Sequence, residues 1–221
     1  MFNKSKFDFQ VEQFSLSLSQ MDDLLFFPWE AQATFQKNWD FSSMDYLSMF
    51  DRSMAIGTDD WSLQFIPGLS RMKQFIQINE DMVRGMFQDL YNDNMDLSGR
   101  IGRFEYHCDL LLEQLKETHP LELDHHHENK KMIFHYLSMK FPTIYCHWLM
   151  DEMKVTLQKC GAPKAIENHE LERYVKTTRI FHKFLVVDET ISTFLKSKID
   201  VESLENNPMT LTALFIHYTS K

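Results

Sequence analysis

Residues 98–115, SGRIGRFEYHCDLLLEQL, decide the fold class. Wound at 3.6 residues per turn, Ile101, Phe104, Cys108, Leu111, Leu112 and Leu115 fall on one stripe, which predicts a helix over 99–117 with that stripe in the core. Arg100, Arg103 and His107 fall together on one flank, near the helix start. Backbone N–H groups without intrahelical partners, the positive end of the helix dipole and two guanidinium forks make this flank a candidate phosphate or carboxylate site. The competing reading is structural, with the arginines paired to acids such as Asp96 or to residues of the N-terminal segment.

Working outward, the helical period continues on both sides. Upstream, Asn79 can cap NEDMVRGMFQDLY, Glu80 and Asp81 suit the positive helix start, and Met82, Val83, Met86, Phe87 and Leu90 share a face. LSRMKQFIQI at 69–78 has the same spacing, and Ser42 or Ser43 with Asp45 opens SSMDYLSMFDRSM. Downstream, helices are expected at about 125–140, 143–159 and 168–197, and Asn206-Asn207-Pro208 opens a last one, MTLTALFIHY. Six Gly and six Pro in 221 residues are too few turn formers for a sheet protein. The expected fold is all-α: one globular multi-helix domain over 41–221, preceded by an irregular acidic aromatic arm at 1–40.

Composition narrows the function classes. The three cysteines are widely spaced and never form CxxC, so neither a disulfide framework nor a zinc knuckle is indicated, and a cytoplasmic location is expected. No stretch approaches the roughly 18 apolar residues of a membrane span. The net charge of -9 opposes indiscriminate nucleic-acid binding, but the charge is uneven. Residues 1–95 hold 7 Lys/Arg against 14 Asp/Glu, whereas 96–197 hold 14 against 15, so an anion site is expected in the second half, where the acidic arm could shield it.

Within that half, LERYVKTTRIFHKFL at 171–185 sorts into an apolar face (Leu171, Tyr174, Val175, Thr178, Phe181, Leu185) and a basic one (Arg173, Lys176, Arg179, Lys183). Such a stripe can track phosphates, and it is also an ordinary way to solvate a helix. In LELDHHHENKKMIFHYL, 121–137, a helix would put Asp124, His127 and Glu128 on one face, but one turn supplies no complete metal site and HExxH is absent. The reading is no metal, with Asp124 as helix N-cap and the histidines exposed in the first turn. The six glycines form no GxxxxGK[ST], GxGxxG or GxSxG, so no catalytic residue and no cofactor is assigned. Arg100 and His107 do match the Arg–His spacing of helical HEPN-type ribonucleases, where the histidine would move a proton and the arginine would stabilise phosphate charge.

Four segments extend this reading: NWDFSSMDYLSMFDRSM, FIQINEDMVRGMFQDLYNDNMDLSGRIGRFEYHCDLLLEQLKE, DHHHENKKMIFHYLSMKFPTIYCHWL and FLKSKIDVESLENNPMTLTALFIHY. In that order, over roughly residues 36–216, they resemble the N-terminal helical domain of bacterial restriction-type AAA+ proteins, relatives of the Mcr modified-DNA restriction GTPase subunit. The resemblance implies a target-recognition role beside an AAA+ motor or nuclease subunit in restriction or phage defence. The motor's own motifs are absent from this chain. The leading expectation is a non-enzymatic recognition or adaptor module that binds DNA, RNA or a protein partner through Arg100, Arg103, His107 and the Arg173–Lys183 stripe. A HEPN-like ribonuclease and a purely structural protein–protein interaction domain are the alternatives.

Overall fold

The structure is a computed structural model that describes residues 2–20, 27–54, 60–118 and 124–221. The fold is all-α, with no strand among the described residues. In chain order the helices are α1 (Lys4–Ser17), α2 (Phe27–Asn38), α3 (Tyr46–Ser53), α4 (Asp60–Leu63), α5 (Ile66–Ile78), α6 (Glu80–Leu90) and α7 (Leu97–Thr118). They continue as α8 (Lys131–Lys140), α9 (Met150–Lys159), α10 (Leu171–Leu185), α11 (Glu189–Lys198), α12 (Val201–Asn206) and α13 (Met209–Ser220). No helix among the described residues is long and apolar enough to cross a membrane.

The chain divides into two compact units, Met1–Glu30 with Phe141–Lys221, and Ala31–Lys140. The first is built on α13, which is buried from Met209 to Ile216 and accordingly apolar on every side. Helices α1, α9 and α10 pack on it. Phe7 and Phe14 of α1 and Phe181 of α10 meet the Phe215 ring at 5.6, 5.5 and 5.8 Å. Each such fully buried side chain contributes roughly 1.5–3 kcal/mol.

The second unit has α8 as its fully buried helix, from Met132 to Met139. Helices α5, α6 and α7 pack on one another, and Phe87, Phe104 and Tyr136 form an aromatic centre with ring separations of 5.4, 5.0 and 5.8 Å. Gly68 lets α5 approach α8: a Cβ there would sit 2.5 Å from Met132 Cγ. The Gln32 side chain donates to the Ser138 carbonyl at 3.1 Å, which satisfies an acceptor in the buried α8.

The predicted stripe of α7 is buried in full, and Asn79 caps α6 by accepting the Met82 N–H at 3.1 Å. Other boundaries differ for local reasons. The segment expected as an arm contains α1, capped by Asn3 and buried through Phe7, Val11 and Phe14, and also α2; residues 21–26 of that segment lie outside the described residues. Helix α8 starts at Lys131 rather than 125, because the Asp124 carboxylate takes the His126 N–H at 2.6 Å and His126 and Lys130 adopt left-handed φ of 62° and 64°. Helix α9 starts at Met150 rather than 143, since the Leu149 N–H is used by the Tyr174 hydroxyl at 3.0 Å. The long helix expected at 168–197 breaks where Asp188 accepts the Ile191 N–H at 2.9 Å and starts α11.

Candidate nucleic-acid interface

Helix α10 separates its two faces as its spacing predicts. Leu171, Tyr174, Thr178, Phe181 and Leu185 are buried, with Val175 partly so. Tyr174 fixes the helix: its hydroxyl donates to the His147 carbonyl and accepts from the Leu149 N–H. On the opposite face Lys176, Arg179 and Lys183 are exposed and make no ion pair among the described residues. At 1.5 Å per residue this row spans about 10 Å.

Arg173 begins the same face but has a structural task. Its guanidinium donates to the Lys164 carbonyl at 3.2 Å, the Ala165 carbonyl at 3.0 Å and the Glu170 carboxylate at 2.8 and 3.1 Å. It thereby clamps the loop between α9 and α10. The Glu167 N–H and then Arg173 hold the Glu170 carboxyl below its usual value. Of the acids near the stripe, Glu170 and Asp188 are therefore occupied, the first by Arg173 and the second as the α11 cap.

The clamped loop closes one side of a groove of about 610 Å³. Gly161, with φ 68°, turns the chain so that the Cys160 carbonyl accepts the Asn3 N–H at 3.0 Å, which brings the N-terminus alongside. Lys4, Lys164, Arg173 and Lys176 line the groove, Phe2 and Phe184 are among its apolar surfaces, and no carboxylate of the described residues belongs to the lining. The Lys4 ammonium stands 5.1 Å from the centre of the Phe184 ring, and it also pairs with Asp8. The exposed row of α10 thus starts at the rim of a basic groove with aromatic walls. Lys4, Lys164 and the two phenylalanines were not among the expected site residues. For Phe2 and Lys4 the signal in the sequence is the basic and aromatic character of MFNKSKF, which carries no period linking it to α10.

Helix α7 treats its flank differently. Arg100 is 4% exposed and donates from Nη1 to the Leu90 carbonyl, the last of α6, at 3.2 Å. Arg103 is exposed and stands 3.4 Å from Asp89. His107 is half-buried, with its Nδ1 enclosed and lacking a hydrogen-bond partner among the described residues. Asp96 pairs with neither arginine; it accepts the Gly99 N–H at 2.7 Å at the helix start. The α7 and α10 clusters belong to different units.

Comparison with family models, curated proteins and solved structures returns no match for this chain.

The histidine stretch is neither helical nor uniformly exposed. His125 and His127 are 2% and 0% exposed, and only His126 turns outward. Asp124, His127 and Glu128 do not gather; the groupings are Asp124, His125 and Glu128, and separately Cys108, His125 and His127. Burial lowers the His127 pKa to about 3, so its imidazole is neutral.

Proposed function

We propose that this chain is a non-enzymatic recognition module that binds single-stranded nucleic acid along α10 and the groove beside it. The observation that carries the reading is the row Lys176, Arg179 and Lys183, exposed and without acidic partners among the described residues, running from a basic groove walled by Phe2 and Phe184. A cationic track with adjacent aromatic surface is the combination that holds a flexible strand: phosphates meet the charges, and bases stack where a duplex would present only its backbone. The resemblance to restriction-type AAA+ proteins fits a module that finds a target for a motor or nuclease subunit in restriction or phage defence.

The ribonuclease alternative finds less support. Arg100 would have to abandon the Leu90 carbonyl and leave the core to reach a phosphate. A protein-docking role is supported only if nucleic acid fails to bind.

Fluorescence anisotropy with labelled single- and double-stranded DNA and RNA across a salt series tests the proposal. Saturable binding to single strands is expected, and Lys176→Ala/Arg179→Ala/Lys183→Ala should lower the slope of log K against log salt by roughly 2. Absence of saturable binding at moderate salt, or an unchanged slope in the triple variant, would overturn it. Intact probes are expected throughout.

A further inference from the structure

Cys108 of α7 and His125 and His127 of the 124–130 loop come together in the core of the second unit. The Cys108 sulfur and a ring nitrogen of each histidine lie within 4.8 Å of one another, and all three residues are buried. His127 Nε2 bonds the Tyr136 hydroxyl at 3.2 Å, whereas its Nδ1 is buried with no hydrogen-bond partner among the described residues. An imidazole nitrogen enclosed without a donor or acceptor is a cost that a folded core ordinarily avoids. We infer that Cys108, His125 and His127 form a binding site for a divalent d-block cation of the zinc class, with His127 Nδ1 as one ligand.

The donor set suits that class. One sulfur and two imidazoles match the borderline character of zinc, and an all-oxygen site for magnesium or calcium would look different. A tetrahedral ion at ordinary zinc bond lengths draws its donors to about 3.5 Å of each other, so the loop has to close by roughly 1 Å. The loop is suited to this, since it carries two histidines on one short non-helical segment against a rigid helix. Cys108 gives up its thiol proton to solvent as the sulfur–metal bond forms, with no change of oxidation state.

The surroundings supply the compensating charge. His125 Nε2 stands 3.2 Å from Asp109 and 3.3 Å from Glu128, and its Nδ1, which accepts the His127 N–H at 3.1 Å, exchanges that bond for the ion. Carboxylates beside a ligating histidine orient the ring and raise its basicity, and their loss commonly weakens binding by about 10–100-fold. Asp124, His125 and Glu128 form a rival, partly exposed set sharing one histidine. It would bind through two carboxylates and the His125 ring and leave the sulfur unused.

Titrating the metal-free 221-residue chain with Co²⁺, followed by Zn²⁺ displacement, separates these cases. The expected result is one Co²⁺ per chain, with d–d bands of tetrahedral cobalt and a thiolate-to-cobalt charge-transfer band in the wild-type spectrum. Cys108→Ser should abolish the charge-transfer band, His127→Gln should remove tight binding, and Asp109→Asn should weaken it by about 10-fold. His126→Ala should change nothing. A wild-type spectrum without the thiolate band overturns the inference, and that readout needs no variant to fold. Binding that survives Cys108→Ser undiminished but is lost in Asp124→Asn/Glu128→Gln assigns the ion to the exposed set and also overturns it.

Discussion

Helices α7 and α10 carry similar polar chemistry on similar amphipathic frames, yet they use it in opposite ways. On α7, Arg100 is drawn inward to a carbonyl of α6 and Arg103 faces Asp89, so neighbouring structure takes up the flank. On α10, only Arg173 is taken up, and Lys176, Arg179 and Lys183 remain in water with no ion pair among the described residues. The difference lies in the backbone that surrounds each helix start. Helix α7 begins beside the open C-terminus of α6, whose carbonyls need donors, whereas the outer face of α10 meets no such acceptor among the described residues beyond its first turn. Spacing along a helix predicts a face; the neighbouring backbone decides whether the face is available.

Acid should separate buried from exposed polar groups most strongly. His127 and His147 are buried, with pKa values lowered to about 3 and about 4 by desolvation. Unfolded, each returns to about 6.5, so the unfolded state binds more protons in the interval between. Stability is therefore fully present above about pH 6.5 and falls progressively as pH drops towards 4. Nucleic-acid binding through α10 should retain its salt slope for as long as the protein is folded. Urea midpoints measured from pH 7 to 4 check this, and a flat profile would break the contrast. His127→Gln should flatten it in part.

Arg100→Ala comes next. Losing a charge-assisted bond to a buried carbonyl costs about 1.5–3 kcal/mol, and the midpoint should fall accordingly while affinity for single strands, measured where the variant is folded, stays unchanged. Lost affinity with retained stability would make Arg100 a ligand-binding residue after all. Arg173→Ala should be milder in stability, about 1 kcal/mol because its bonds are partly exposed. Unlike Arg100→Ala, it should also weaken binding, since it frees the loop that closes the groove.

How far the sequence carries this picture depends on the range of the forces involved. The α7 stripe, the Asn79 cap and both faces of α10 are set by residues within one helix, and the period shows them. The α1 stripe of Phe7, Val11 and Phe14 has the same four- and three-residue spacing, but it is short and set among polar residues, so it reads as an arm until α13 is there to cover it. The 124–130 loop is the opposite case. Its histidines are buried because Cys108 and Tyr136 receive them, and no local rule predicts that three polar residues in a row will turn two of their number inward. The groove was hidden for the same reason, since Phe2 and Lys4 meet α10 only through the turn at Gly161.

The smallest effect is the one that tests the contrast most finely. Arg103 is 60% exposed and stands 3.4 Å from Asp89, a geometry in which Coulomb attraction is mostly screened and side-chain ordering offsets what remains. Arg103→Ala should cost no more than about 0.5 kcal/mol, as should each of Lys176→Ala, Arg179→Ala and Lys183→Ala. Stability alone thus cannot distinguish the two helices at their exposed positions, but coupling can. A double-mutant cycle of Arg103→Ala with Asp89→Ala measures how far the acid holds the arginine. Coupling near zero would make Arg103 as available to a ligand as Arg179 and confine the structural role of the α7 flank to Arg100. Coupling above about 1 kcal/mol would extend that role to Arg103 and leave α10 with the exposed, unclaimed cations.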